Sequence, residues 1–229
     1  MNRSRMTMAV GACLASLACA PALAQDANTV RVGLYSVFFH LHADDVSGPF
    51  TPPGLNADIN NVNTMYFAYL RRVSSHLQAE VTLGLPPETD IVAKGPNKLG
   101  SVPWNGQVVG HVTWVSPSVL LEYLFNDESA KFRPYVGAGV NYTHFINRSV
   151  NAAGEAALGG PSSIDQTDSV GPAVTLGMSY RPAAHWQVIT SVNWALIKSD
   201  LTINTAGIQR KTSADFEPVA VVFALGYSF

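Results

Sequence analysis

Two histidines near the start of this sequence have the spacing of metal ligands. His40 and His42 alternate along the chain, and Asp44 and Asp45 follow them. Residues at i and i+2 share one face of a β-strand, and imidazole and carboxylate groups are common zinc ligands. The pair lies where a predicted strand meets a loop, and polar residues are ordinary at such a place. We therefore expect no metal site and no cofactor.

His144 with Ser149 comes nearest to a base beside a nucleophile. Nucleophilic catalysis needs a serine or similar group activated by a base, and the base is oriented by a third group. The sequence shows no acid that evidently orients His144. We therefore expect that this protein is not an enzyme.

The composition indicates the kind of structure that positions these groups. The chain has 229 residues, of which 47% are hydrophobic and 13% charged, whereas about 25% charged residues is usual for a globular domain. Residues 1–24 combine a basic start, an apolar run over 9–20 and a small-x-small site at 22–24. These are the three parts of a secretory signal peptide. We expect residues 25–229 to be the mature domain.

Charge and cysteine content exclude further classes. Beyond residue 24 the chain retains 12 basic and 16 acidic residues, a formal net charge of −4. Nucleic-acid binding needs a basic face, so we expect no nucleic-acid partner. Cys13 and Cys19 both precede residue 24, which leaves no cysteine for a disulfide or a metal. The same region contains no apolar stretch of about 20 residues, as a membrane helix needs. A closed β-barrel is the other structure that satisfies its backbone inside a membrane.

The clearest strand is the last segment, residues 218–229 (PVAVVFALGYSF). Bulky apolar residues from Val219 to Phe229 alternate with small ones. This period of two, with aromatic residues at one end, is typical of a barrel strand that faces lipid. Similar alternation predicts strands over 132–145, 169–181 and 185–197, and weaker patterns predict strands near 29–42, 61–72, 75–85 and 107–125, the last with a bulge at Pro117.

The connections between these strands predict the topology. Long connections rich in Gly, Pro, Asn, Asp and Ser alternate with tight turns, as in membrane barrels with long external loops and short periplasmic turns. We expect an all-β, eight-stranded antiparallel transmembrane β-barrel in the bacterial outer membrane, with lipid, lipopolysaccharide and the barrel-insertion machinery as partners. The predicted long connections are 43–60, 86–106, 146–168 and about 199–210, and the turns are 73–74, 126–130 and 182–184.

A soluble eight-stranded barrel is the alternative fold. It would place its apolar face inside and its polar face outside. Here the second face of each strand is small and weakly polar, mostly Gly, Ala, Ser and Thr, rather than charged. This pattern favours the membrane barrel.

Several segments resemble the outer-membrane protein W family. Residues 131–142 (KFRPYVGAGVNY) are similar to its signature strand, residues 116–125 and 80–87 are similar to two further strands, and residues 226–229 match its terminal pattern. The resemblance covers about residues 29–229. It implies a narrow hydrophobic channel through which small apolar molecules diffuse passively and leave sideways into the bilayer. The Gly/Ala/Ser-rich loop over 146–168 departs from the family.

The interior of an eight-stranded barrel holds only side chains or one small ligand. Segments that are apolar on both faces must place some side chains inside, and Phe39, Leu120 and Ile197 are candidates for lining the lumen. An apolar channel for a small hydrophobic ligand is one interpretation. A closed structural or adhesive barrel, whose extracellular loops carry the function, is the alternative.

Three charged residues and two aromatic residues complete the candidate sites. Arg133 lies on the inward face of its strand and is expected to pair with Glu122 or Glu80, because an unpaired charge in a dry lumen is costly. Tyr227 and Phe229 end the chain. Resemblance to outer-membrane barrels implies that this terminal aromatic pattern is an assembly signal. A purely structural role at the membrane interface is equally consistent with it.

Overall fold

The computed structural model describes residues 27–229, which form seventeen β-strands and one short helix. The predicted signal peptide lies outside these residues. Within the described range no helix is long and apolar enough to cross a membrane. In chain order the elements are β1 (Asn28–Phe38), β2 (Leu41–Ala43), β3 (Asn56–Ile59), β4 (Val62–Arg72), β5 (Leu77–Gly84), β6 (Glu88–Lys94), β7 (Lys98–Leu99), β8 (Val102–Pro103), β9 (Val108–Val115), β10 (Ser118–Leu124), β11 (Phe132–Val150), α1 (Ala152–Leu158), β12 (Ser162–Gln166), β13 (Ser169–Tyr180), β14 (Trp186–Ala195), β15 (Ile197–Thr205), β16 (Ile208–Phe216) and β17 (Val219–Ser228).

Eight of these strands close into one antiparallel barrel, which confirms the predicted fold. Around the wall the order is β1, β4, β5, β10, β11, β13, β14 and β17, and β17 pairs with β1 again. The closing ladder runs from Thr29 opposite Ser228 to Phe38 opposite Val219. Every backbone polar group along these ladders has a neighbouring strand on each side, so the wall has no free edge in lipid.

The alternation along the last strand separates a lipid face from a lumen face. Phe223 and Leu225 on β17 are 59% and 53% exposed, whereas Val222 and Ala224 between them are 0% and 1% exposed. Successive side chains of a strand point to opposite faces, so the bulky set lies against lipid and the small set fills the lumen. Small inward residues leave room in a narrow barrel for the few large side chains that also point inward.

The long connections are more ordered than predicted. Many of their residues continue the barrel strands beyond the membrane as two β-arms. Arm 1 is a four-stranded sheet in the order β12-β15-β16-β2, and arm 2 joins β3, β6 and β9 to the upper half of β11. The segment predicted as a loop over 199–210 is a hairpin, with Ala206 and Gly207 at its turn at φ 49° and 88°. Two central residues with positive φ match the twist of paired strands, which explains the regular hairpin.

The short connections agree with the prediction. Residues 73–76, 125–131 and 181–185 are the only residues between successive barrel strands at the end of the barrel where the described chain begins. This end is periplasmic, and the arms are extracellular.

Candidate functional site

A cavity lies in the extracellular half of the lumen. Its volume is about 60 Å³. The wall is mostly apolar, with Phe39 and Trp114 in edge-to-face contact at 5.3 Å between ring centroids. The structure places the three predicted lumen residues, Phe39, Leu120 and Ile197, on this wall. Its other inward-facing side chains include Tyr35, Val37, Tyr66, Thr82, Trp114, Ser116, Ser118, Asn141, Ala173, Asn193, Ala195 and Ala220.

A layer of charged and polar side chains closes the lumen below this cavity. Arg31 Nη1 donates to Glu80 Oε2 at 2.5 Å, with the two side chains 2% and 4% exposed. Tyr66 Oη donates to the other oxygen of Glu80 at 2.8 Å. Strand β1 runs from the periplasmic end towards the extracellular end, and Arg31 precedes the cavity residue Val37 on it by six positions. The layer therefore lies on the periplasmic side of the cavity.

A second carboxylate belongs to the same layer. Gln78 Nε2 donates to Glu122 Oε2 at 2.5 Å. The Arg31 guanidinium lies 5.4 Å from the centroid of the Tyr135 ring, a cation–π contact. Gly177 makes room for that ring, because a Cβ at this position would overlap Tyr135. We call Arg31, Tyr66, Gln78, Glu80, Glu122 and Tyr135 the plug layer.

Two atoms of the plug layer lack a hydrogen-bond partner. Arg31 Nε and Glu122 Oε1 are buried and unpaired. Opposite charges at contact distance attract strongly in a low-dielectric interior, but only well-satisfied groups offset the cost of losing water. The two unpaired atoms leave part of that cost without compensation. The layer still places charged groups across the lumen, so it offers no apolar path to the periplasmic end.

The predicted pairing of Arg133 is wrong. Arg133 is inward and buried as expected, but its Nη2 donates to the backbone oxygens of Ser75 and Asn126, at 2.5 and 3.3 Å. The register of β10 and β11 puts Glu122 opposite Gly137, four residues above Arg133 and hence roughly 13 Å away along the strand. Arg133 thus ties two periplasmic turns together, and Arg31 neutralises Glu80 instead.

The barrel wall is interrupted beside the cavity. The ladder between β5 and β10 ends at Thr82 opposite Ser118, and the ladder between β6 and β9 begins only at Glu88 opposite Thr113. In the described chain, residues 83–87 and 114–117 form no backbone hydrogen bond to each other. We call this interruption the seam. Thr82, Trp114, Ser116 and Ser118 belong both to its borders and to the cavity wall.

Proline explains one side of the seam. The Leu85 N–H donates to the Met65 carbonyl, and the Leu85 carbonyl accepts a hydrogen bond from the Thr64 hydroxyl. The backbone of Leu85 therefore faces β4. Neighbouring residues of an extended strand direct their backbone groups to opposite sides. Pro86 therefore faces the seam, and proline has no N–H to donate there.

The remaining predicted residues lie away from the cavity. His40 and His42 are solvent-exposed, and residues 27–229 contain no cluster of three or more potential metal ligands. His144 Nδ1 lies 2.7 Å from Asp168 Oδ1, so an acid does contact this histidine. Ser149 lies five residues along β11 from His144, roughly 17 Å in an extended strand, and does not complete a triad.

The two terminal aromatic residues lie at the periplasmic edge. Tyr227 packs edge-on against Trp186, with ring centroids 5.2 Å apart. Phe229 is 54% exposed and exchanges backbone hydrogen bonds with Asn28. Both therefore belong to the aromatic border of the barrel, and their role in assembly stays a prediction.

The sequence contained a signal for the plug layer that the prediction did not use. Arg31 is the only charged residue of β1 and lies in the inward phase of that strand, and charged groups within membrane spans are rare and paired. Tyr66, Gln78 and Tyr135 carry no such signal, because these side chains are uncharged. Their convergence depends on how the strands are staggered.

Comparison with known proteins agrees with this structure. Residues 28–229 match the model of the OmpW family. Outer membrane protein W of Vibrio cholerae is 29% identical over 220 residues, which cover 95% of this chain and 96% of that protein. The dibenzothiophene metabolism operon protein PahQ of Pseudomonas aeruginosa is 25% identical over 95% of this chain and 94% of its own length.

A solved structure shows the same fold. The crystal structure of the outer membrane protein OprG from Pseudomonas aeruginosa superposes with a TM-score of 0.79 at 22% identity, covering 88% of this chain and 95% of OprG. The eight-stranded barrel, its lipid-facing surface and the match over nearly all described residues lead to one conclusion. This chain is an outer-membrane β-barrel and belongs to the OmpW family.

Proposed function

We propose that this barrel lets small apolar molecules cross the outer membrane by passive diffusion. A molecule enters between the extracellular arms, occupies the upper cavity and leaves sideways into the bilayer through the seam. The observation that carries the proposal is the position of an apolar cavity directly above a charged layer and beside an interruption of the wall.

The plug layer favours the sideways route over a route along the barrel axis. A molecule moving straight down must separate Arg31 from Glu80 in a dry interior, and breaking a buried ion pair costs about 3–5 kcal/mol. The seam lacks backbone hydrogen bonds, so side chains can part there without breaking a ladder. An apolar molecule that leaves the cavity through the seam does not have to pass the plug layer.

The cavity must widen during passage. Its volume of about 60 Å³ is below the roughly 150 Å³ of an engineered cavity that binds benzene. Phe39 and Trp114 contact each other edge to face rather than as a stacked pair. Rotation of these two rings is the simplest way to enlarge the space.

The name of one relative is consistent with this substrate class. PahQ is named for a dibenzothiophene metabolism operon, and dibenzothiophene is an apolar aromatic compound. As part of the proposal, we extend the class of apolar aromatic compounds to this chain. We also propose that the chain has no enzymatic activity. Outer-membrane lipid and lipopolysaccharide contact its outer face, and the barrel-insertion machinery recognises it during assembly.

Uptake into vesicles tests the proposal. Purified barrel is reconstituted into vesicles whose outer leaflet contains lipopolysaccharide, and entry of naphthalene is followed by its fluorescence. We expect faster entry than into protein-free vesicles. Equal rates would refute the channel and favour the alternative of a closed structural or adhesive barrel whose extracellular arms carry the function.

Two neighbouring substitutions on β17 sharpen the test. Ala220 lines the cavity and is 3% exposed, whereas Val221 faces lipid and is 41% exposed. We expect Ala220→Phe to fill the cavity and lower uptake several-fold, and Val221→Phe, which adds a ring on the lipid side, to leave it unchanged. Equal uptake by both variants would show that molecules do not pass through this cavity.

A further inference from the structure

A second, larger pocket lies outside the membrane, between the two arms. Its volume is about 680 Å³, and we call it the vestibule. The segment between β2 and β3, the β7–β8 hairpin, the end of α1 and one residue of β16 form its wall. Its apolar side chains are Phe50, Pro52, Leu55, Leu99, Ala157 and Leu158.

The vestibule wall contains two cations and no acid. Arg210 and Lys98 contribute to it, and none of its other residues is Asp or Glu. Arg210 is 5% exposed, and its one side-chain hydrogen bond runs from Nη1 to Thr205 Oγ1 at 3.3 Å. Within residues 27–229 it has no ion-pair partner, since the described ion pairs involve other residues.

A buried arginine without a counter-ion is unusual. Removing a cation from water is costly unless an opposite charge and hydrogen bonds offset the loss. The neutral hydroxyl of Thr205 offsets little of it. The free donors of Arg210 are therefore suited to an anion that enters the vestibule from outside.

Phe50 supplies a second, independent observation. This residue is 85% exposed and has a φ of 57°. A left-handed backbone costs a residue with a side chain about 1–2 kcal/mol, and such strain clusters at ligand-binding sites. An exposed phenyl ring held in this way at the vestibule wall is positioned to cover an apolar ligand.

We propose that the vestibule binds small amphipathic carboxylates. The carboxylate accepts hydrogen bonds from Arg210 with Lys98 nearby, and the apolar part packs on Phe50, Leu99 and Leu158. A guanidinium presents a planar fork that matches a carboxylate, and desolvation makes this pair stronger than it is in water. The proposal does not rest on passage through the lumen, because no residue of the vestibule wall lines the lumen cavity.

Calorimetry of the intact barrel in lipid nanodiscs tests the proposal, with empty nanodiscs as the blank. The probes are naphthoate, the neutral naphthalenemethanol and inorganic phosphate. We expect naphthoate to bind at least tenfold more tightly than either of the other two. Equal binding of the neutral compound would overturn the role of charge, and equal binding of phosphate would overturn the need for an apolar part.

Adjacent substitutions on β16 locate the site. Arg210→Gln removes the vestibule cation, and Lys211→Gln removes its neighbour, which points to the other side of the strand and does not line the vestibule. We expect the first to abolish the preference for naphthoate and the second to preserve it. If Arg210→Gln does not fold, Lys98→Gln is tested instead, because Lys98 is exposed. We expect it to weaken naphthoate binding about threefold. Unchanged naphthoate binding in the folded variant would overturn the assignment.

The lumen variant separates this site from the channel. Ala220→Phe is expected to lower naphthalene uptake and leave naphthoate binding unchanged. Loss of naphthoate binding in this variant would place the ligand in the lumen and overturn the vestibule assignment. Failure of uptake alone would count only against the channel.

Discussion

Arg31 and Glu80 form an ion pair inside the barrel, with Nη1 and Oε2 2.5 Å apart, although their strands are not neighbours. Strand β4 lies between β1 and β5 and contributes the small residue Ala68 opposite Arg31. The long arginine side chain can therefore cross the lumen face of β4 to reach the carboxylate. The pair joins three strands and separates an apolar upper lumen from the periplasmic end.

Loss of one partner of this pair should cost more stability than loss of both. We expect Glu80→Leu to destabilise the barrel by about 3–5 kcal/mol, because it removes the carboxylate that Arg31 contacts directly and leaves a buried charge poorly compensated. Urea unfolding of the barrel in lipid vesicles measures the change.

Two further variants give that measurement its control. The double variant Arg31→Leu with Glu80→Leu should recover most of the loss, since buried pairs replaced by apolar residues are often neutral. On the extracellular arm, Lys198→Ala breaks an exposed pair with Asp215 and should change little. A double variant as unstable as the single one would mean that the charge itself is not the source of the loss.

The seam should depend on the missing donor at Pro86. We expect Pro86→Val to supply an N–H towards the connection between β9 and β10, which contains Ser116, to draw the two borders together and to lower naphthalene uptake several-fold. Uptake into lipopolysaccharide-containing vesicles is the measurement.

Pro87 is the matched control, because alternation directs its backbone towards β4 instead. Pro87→Val should leave uptake at the wild-type rate. If both proline variants transport normally, the molecules leave the lumen somewhere other than the seam.

The terminal aromatic residue should matter for assembly more than for the folded barrel. We expect Phe229→Ala to lower the amount of barrel in the outer membrane of cells by several-fold, while refolding of the purified chain into vesicles stays close to normal. Phe223→Ala removes another lipid-facing phenyl ring of β17 and should have a smaller effect in cells. Equal amounts of wild-type and Phe229→Ala barrel in the outer membrane would leave only the structural role.

Alternation of side chains in the sequence determines much of this structure. Val222 and Phe223 are neighbours in sequence, and successive side chains of a β-strand point to opposite faces of the sheet. The small residue therefore faces the lumen and the large one faces lipid. The same local rule predicted eight strands, their short turns and the inward direction of Arg133 and Leu120. It depends only on neighbours in sequence, so the sequence is sufficient for it.

Only the tertiary structure decided which inward residues meet. Arg31 and Glu80 are 49 residues apart, and their contact depends on the tilt and stagger of strands around a closed barrel. The same stagger separates Arg133 from Glu122 and gathers Phe50 and Arg210 from distant segments into one vestibule. Register between strands is a collective property of all the ladders, and no local pattern of residue types contains it.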